Sequence, residues 1–456
     1  MGARYFGASV KRLEDPRLIT GRGQYLDDIA IADLLHVAVI RSPHAHARIT
    51  QIDASMAQTA QGVVAVLTAD DLGAQGMQPM PMMAPAPMVK TPVTQYPLAR
   101  ESVHYVGEAV ALVIAESRAL AEDAAAMVMV DYDPLPAQVD LATALETNAV
   151  LAHTGMESNR AATLKGSFGD VAAVFQSAAH VFHEQLTLHR GGCHAMECRG
   201  VMARPDTVSG RLDVWSSTQS PYMVRRALAA RLGMDENQIR VTAPDVGGGF
   251  GPKAVVYAED YAIPMAALKL GRALKWVEDR AEHFVATTQQ RDQIWSLEVA
   301  ADAQGRMLAV RGHCLHDNGA YLPYGVVLPI TSLSSFPGPY ALQALDISLD
   351  IIYTNMVPNT PVRGAGRPNT CFVLERLADR IARELGLDPA DVRRRSFVQK
   401  DQFPYATGMK ARDGSSVSYD SGDYVGCLDL ALATFGADFR ARQEQARQHG
   451  RYIGMG

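Results

Sequence analysis

The chain has no Lys/Arg-rich run, no C-x-x-C pair and no long apolar stretch, and each absence removes a class of function. With 43 basic residues against 49 acidic ones the formal net charge is −6, so the electrostatic footprint of a nucleic-acid binder is missing. A bilayer span needs roughly 18 consecutive apolar residues, and none occur, so no membrane span is expected. The opening MGARYFGASVKRLEDPR lacks the apolar core of a secretory signal. Phe6 stands where a myristoylation signal beginning at Gly2 needs Ser or Thr. A cytoplasmic protein is expected. Cys193, Cys198, Cys314, Cys371 and Cys427 are scattered, without the spacing of an iron–sulfur site. They read as reduced thiols. Cys193 and Cys198 lie near His189 and His194 in sequence but read as small buried apolar residues rather than metal ligands. If the chain belongs to a redox enzyme, its electron-transfer centres lie elsewhere.

What is present is the composition of a globular protein, 48% hydrophobic and 20% charged. A chain of 456 residues exceeds one ordinary core and predicts several domains. To about residue 135, strand-like segments (LLHVAVIRS, HARITQID, GVVAVLTA, MVDYDPL) alternate with short helical ones. YVGEAVALVIA predicts a bent strand with Gly107 at the bend, and Ser117 is placed to cap the helix that follows. Between them, 77–92 is broken by Pro79, Pro81, Pro85, Pro87 and Pro92 and reads as an extended, methionine-rich apolar loop. After a linker, longer strands begin near Gly166. Ser220 and Pro221 open a helix ending at Gly233, a hairpin turns at Gln304-Gly305, and an amphipathic helix begins near Asn369. The fold class is α+β.

VGGGFGPK (246–253) follows a strand and precedes a helix, which suits an anion cradled by backbone N–H groups. A P-loop is excluded, because Pro252 takes the second glycine's place and Ala254 follows Lys253. Gly249-x-Gly251-x-x-Ala254 does satisfy the dinucleotide fingerprint, with Glu278 or Asp279 near a ribose-binding position. Pro244 and Asp245, however, interrupt the strand leading in. A tight turn needing glycine for backbone clearance competes on even terms.

Six further segments accompany that loop. GGGFGPK resembles the GGGFGGK loop of the molybdenum hydroxylases, the xanthine dehydrogenase/aldehyde oxidase family. WSSTQSP (215–221) resembles its STQ-x-P element, HAMECRG its H-x-PMEPRG segment, and LKWVEDRAEHF its KWVEDR-x-EH run. NTPVRGAGRPN (359–369) resembles YRGAGRPE. RYFGASVKRLEDPRLITGRGQYLDDI and YVGEAVALVIAES look like the opening and middle of its α/β hammerhead domain. They occur in family order, similar to the carbon monoxide dehydrogenase large-chain group.

The resemblance implies an arm at 1–18, a hammerhead domain at 19–135, a linker at 136–165, a first molybdenum-cofactor-binding domain at 166–390 and the start of a second at 391–456. It implies hydroxylation of a C–H bond next to nitrogen or oxygen, with oxygen from water, on a molybdenum–pterin cofactor, often the molybdopterin cytosine dinucleotide. Electrons would leave through 2Fe–2S clusters and FAD on partner subunits. The metal carries the chemistry and the protein orients it; no side chain is expected to ligate it directly. Carried over by position, Gln219 points its amide at the metal–oxo region or pterin, and Gly248, Gly249, Phe250 and Gly251 offer backbone N–H groups. Arg363, Gly364, Ala365 and Gly366 form the facing loop, with Arg363 and Arg367 read equally as ion-pairing arginines. Lys253, Ala254 and Ala365 line the substrate pocket. Glu197 reads as a structural carboxylate held by a partner.

Departures narrow the substrate. Ala254 and Ala365 replace a glutamate and an aromatic of the purine-oxidising relatives, and Gly364 stands where carbon monoxide dehydrogenases carry a copper-binding cysteine. Aldehydes or N-heterocycles remain. GRYIGMG (450–456) resembles a strand that continues in relatives, so the catalytic base is expected beyond Gly456, in the same or a separate chain. Glu197 and Glu259 are the only carboxylates near these motifs that could replace it. The chain alone is expected not to turn over. Two alternatives stay open: a catalytically idle cofactor-binding or assembly subunit, and an NAD-dependent dehydrogenase.

Overall fold

A computed structural model describes residue 5, residues 7–436 and residues 438–456. The readings at Gly2 and Phe6, and positions 1–4 of the arm, lie outside the described residues.

The first region contributes β1 (Leu35–Arg41), β2 (Ala47–Asp53), β3 (Val63–Leu67), β4 (Ser102–Val103), β5 (Ala109–Ala115) and β6 (Met129–Pro134). Every residue of β5, AVALVIA, is buried, as expected of a strand covered on both faces. Gly107 makes the bend before it at φ +104°, where a Cβ would lie 2.4 Å from the carbonyl oxygen of Val285. Ser117 accepts from the Leu120 N–H and starts helix Arg118–Ala125, as its position predicts.

The second region supplies β7 (Arg160–Phe168), β8 (His180–Leu188), β9 (Gly200–Asp206), β10 (Arg211–Ser216), β11 (Ile239–Thr242), β12 (Leu274–Val277), β13 (Gln293–Ala301), β14 (Met307–Gly319) and β15 (Ala344–Tyr353). The hairpin β16 (Tyr405–Lys410) and β17 (Ser416–Tyr419) lies among the later helices. Strand β7 begins inside the stretch read as linker. Ser220 precedes helix Pro221–Leu232 but makes no side-chain cap; its N–H goes to Thr218 Oγ1 instead.

A seven-stranded sheet in the order β11-β10-β9-β12-β1-β5-β3 unites the two regions. The joint is parallel pairing of β1 with β12, Leu35 opposite Leu274. A five-stranded sheet, β7-β15-β14-β13-β8, carries the second large core. Helix Arg367–Leu385 seals it with Val373, Leu374, Leu377, Ala378, Ile381 and Ala382, the spacing of an amphipathic face. The Met-rich loop has no regular structure and straps the cores together: Met80 sits in one and Met82 packs against the other.

Two expectations are corrected. Only Cys314 is a buried cysteine; Cys193 and Cys198 are half-buried, and Cys371 and Cys427 are exposed. The dinucleotide reading needs a parallel sheet, but this sheet is mixed: β11, which leads into the loop, pairs parallel with β10, whereas β10 pairs antiparallel with β9, and β9 with β12. The glycine loop therefore does not occupy a nucleotide-binding turn.

Candidate functional site

The loops that resemble family segments meet through hydrogen bonds. Gly251 N–H donates to Gln219 Oε1 at 2.8 Å, and Gln219 N–H donates to the Lys253 carbonyl at 2.8 Å. Arg363 N–H donates to the Phe250 carbonyl at 2.7 Å. Segments more than 100 residues apart in sequence thus converge at one junction, where Gln219, Phe250, Arg363 and Gly364 are exposed. Glycine permits the approach: a Cβ on Gly249 would lie 2.5 Å from Gln219 Oε1, and one on Gly251 2.3 Å from the Pro361 carbonyl. Phe250 (φ +54°) and Ala365 (φ +48°) hold left-handed conformations, which cost non-glycine residues energy and cluster at functional sites. Gly364 (φ +102°) and Gly366 (φ +96°) flank Ala365. Ala254, in the turn after the glycine loop, is half-buried.

The junction is rich in uncommitted donors. Among the described residues, the N–H groups of Gly248, Gly249, Phe250 and Gly364 have no hydrogen-bond partner. The Gln219 side-chain NH2 and the Arg363 guanidinium also lack one, and neither Arg363 nor Arg367 has an ion pair. Such a set suits a ligand rich in anionic or oxo oxygens.

Below the loop, Glu197 acts as a clamp. Its Oε2 accepts from Lys253 Nζ and Ser217 Oγ at 2.7 Å each and from Gly247 N–H at 2.8 Å. The structural reading of Glu197 agrees with this geometry. Lys253, expected in a substrate pocket, has its side chain elsewhere. It is 3% exposed, and its ammonium is held by Glu197 and Ser217, since a buried cation needs a partner. Burial pulls its pKa below the usual value while Glu197 pushes it back up.

Deeper lies a charge network that sequence reasoning missed as a unit. Arg199 bridges Glu259 (Nη1–Oε2 2.9 Å) and Glu278 (Nη2–Oε1 2.5 Å) and lies 3.9 Å from the Tyr257 ring centroid. Arg41 from β1 joins Glu259 and Glu282 at 2.6 Å each, and His283 Nδ1 meets Glu278 Oε2 at 2.7 Å. Burial alone would raise the Glu259 carboxyl, but Arg199 and Arg41 hold it below its usual value. Glu278 is likewise held low by Arg199 and His283 against its burial. Glu278, weighed as a ribose-binding acid, is 2% exposed and belongs to this network. Neither Glu197 nor Glu259 is a free base.

The comparisons agree with this architecture. Residues 20–136 match the aldehyde oxidase and xanthine dehydrogenase a/b hammerhead domain, and residues 144–397 match the molybdopterin cofactor-binding domain. The chain is 36% identical to the nicotine 6-hydroxylase large subunit of Paenarthrobacter nicotinovorans, over 99% of this chain and 54% of that protein. It is 34% identical to the carbon monoxide dehydrogenase large chain of Afipia carboxidovorans, over 97% of this chain and 55% of that one. The crystal structure of quinoline 2-oxidoreductase from Pseudomonas putida 86 superposes with a TM-score of 0.89 at 35% identity, covering 97% of this chain and 56% of that chain. The chain therefore spans about half the length of the relatives it matches. With a hammerhead domain followed by a molybdopterin cofactor-binding domain, it belongs to the xanthine dehydrogenase/aldehyde oxidase family of molybdenum hydroxylases.

Proposed function

We propose that this chain builds one wall of the molybdenum–pterin site in a cytoplasmic hydroxylase that acts on N-heterocycles. The observation that carries the reading is the exposed three-loop junction, where Gly251 donates to Gln219 and Arg363 to Phe250. Its donors fit the group: Gln219 NH2, the free N–H groups of Gly248, Gly249 and Phe250, and the Arg363–Gly366 loop can bind oxo or phosphate oxygens without ligating the metal. A dinucleotide form of the pterin, such as the cytosine one, would occupy more of these donors. When bound, the cofactor supplies oxygen transfer and electron acceptance, and this chain orients it and excludes competing contacts. Nicotine and quinoline, in the names of two similar proteins, favour N-heterocycles over aldehydes.

The carboxylates argue that the general base comes from outside these residues. Catalysis needs a carboxylate within hydrogen-bond reach of the reacting group, and Glu197 and Glu259 are committed to Lys253 and to Arg41 and Arg199. Iron–sulfur and FAD subunits, and a downstream segment on the same or a separate chain, would complete the enzyme. The test expresses residues 1–456 alone and beside the downstream half, with iron–sulfur and flavin subunits in both. Molybdenum content and dye reduction with N-heterocycles and aldehydes are then measured. Metal retention and turnover only with the downstream half support the proposal, while turnover by the short chain refutes it.

A further inference from the structure

The glycine-loop donors and the Gln219 amide trace back to one carboxylate oxygen. Glu197 Oε2 accepts from the N–H of Gly247, where the glycine loop begins, and from Lys253 Nζ, where it ends. The N–H groups of Gly248, Gly249 and Phe250, which have no partner among the described residues, lie between those two points. The far end of the loop reaches further. The Lys253 carbonyl accepts from Gln219 N–H at 2.8 Å and from Thr218 Oγ1 at 3.0 Å, and Gln219 Oε1 accepts from Gly251 N–H. The direction of the Gln219 side-chain NH2 therefore follows from where Lys253 is held. The approach to the loop is fixed as well: Asp245 N–H donates to the Gln24 carbonyl at 3.0 Å, and Gln24 N–H donates to Asp245 Oδ2 at 2.8 Å.

The arrangement has no slack. Glu197 N–H also donates to the Gly247 carbonyl at 3.1 Å, and a Cβ on Gly247 would lie 2.5 Å from Glu197 Cβ. The two backbones are already at closest approach and cannot move together. Lys253 is 3% exposed, and a buried cation needs its partner. The length of the Glu197 side chain, and not its charge alone, thus sets where both ends of the loop stand. We propose that Glu197 is a positioning residue for the molybdenum–pterin cofactor: through Gly247 and Lys253 it aims the glycine-loop N–H groups and the Gln219 amide at the ligand's oxygens. The inference rests on the cofactor reading given above. Glu197 acts through the loop and Lys253, not on the reacting atoms, and a misplacement of about 1 Å at such a distance can cost roughly 100-fold in rate.

The test replaces Glu197 with aspartate in the assembly co-expressed with the downstream half and the iron–sulfur and flavin subunits. Aspartate keeps the charge but is one methylene shorter, so it cannot reach Gly247 N–H and Lys253 Nζ together. In Glu197→Asp the Mo(V) EPR signal is expected to shift its g values and molybdenum content to fall further than thermal stability does. With quinoline as probe, kcat per bound molybdenum should drop about 10- to 100-fold while KM stays nearly constant. Should Glu197→Asp fail to fold, Ser217→Ala takes its place: it removes the hydroxyl that bonds Glu197 and Lys253 at 2.7 Å each and leaves every charge in place, and the same EPR shift is expected. An EPR signal and kcat per molybdenum equal to wild type overturn the inference. So does a loss of metal that merely tracks a lower melting temperature, with the signal of the remaining metal unchanged. A wild-type assembly without molybdenum overturns the cofactor reading itself, whereas a loaded wild type beside an indifferent Glu197→Asp overturns only this inference.

Discussion

Replacing Arg199 with methionine tests whether the buried network holds the second region together. Arg199 is 4% exposed and donates to Glu259 Oε2, Glu278 Oε1 and, at 2.7 Å, Thr287 Oγ1. Methionine keeps much of the volume and removes the charge. Glu259 would keep only Arg41, and Glu278 would keep His283, Thr287 and the backbone N–H at position 199. Removing one partner of a buried ion pair costs about 3–5 kcal/mol, and the lost cation–π contact with Tyr257 adds a further cost of about 1 kcal/mol. We therefore expect Arg199→Met to lose about 4–6 kcal/mol. Arg199→Lys should lose about 2–3 kcal/mol, because one ammonium cannot reproduce the guanidinium fork between two carboxylates. Urea unfolding followed by fluorescence of buried Trp276, 5.3 Å from the guanidinium, measures both, with midpoints shifting at constant slope. The sign with pH is fixed as well. Glu259 and Glu278 have folded pKa values below the ordinary 4.5, so their stabilisation is complete above 4.5 and fades as pH falls further. The gap between wild type and Arg199→Met should therefore narrow in acid. A loss under about 1 kcal/mol at pH 7, less than a single exposed pair can contribute, would refute the reasoning.

Gly251→Ala should strip the junction while sparing the fold. Its φ of +116° and a Cβ 2.3 Å from the Pro361 carbonyl force the loop to shift, at a cost of about 1–3 kcal/mol. Molybdenum content of the co-expressed assembly should fall much further than thermal stability does, and unchanged metal loading would contradict the site. His153, 7% exposed and held down to about 4 chiefly by burial, should make the chain acid-sensitive. Its folded pKa lies below the ordinary 6.5, so about 3 kcal/mol is lost as pH falls from 6.5 toward 4. His153→Gln should make that limb shallower, without abolishing it, in denaturation curves taken at several pH values, because burial holds His104 and His316 below their ordinary value as well. Ser117→Ala removes the cap on the Leu120 N–H and should cost about 1 kcal/mol, seen as a lower urea midpoint; no change would mean that water replaces the cap.

Local features were legible in the sequence because their causes are local. The β5 run, the bend at Gly107 and the cap at Ser117 follow from residue type within a few positions. The junction was legible for a different reason: GGGFGPK, STQ and RGAGR were found together, and backbone clearance at Gly249 and Gly251 is readable as glycine. What was not legible depended on partners far along the chain. Arg41 meets Glu259 and Glu282 across more than 200 positions, and β1 meets β12 only in the folded sheet, so no window of sequence shows that the two regions share one sheet. Lys253 and Glu278 stand in motif strings beside residues at the open junction, yet their side chains turn inward, Lys253 to Glu197 and Glu278 to Arg199. The same strings thus combine two physical demands. On the proposed reading, the glycines and Gln219 keep the junction open to a ligand, whereas Glu197, Lys253, Arg199 and Glu278 brace it from below. A string match reports both demands alike, and burial with a paired charge is what separates the braces from the groups left free to bind.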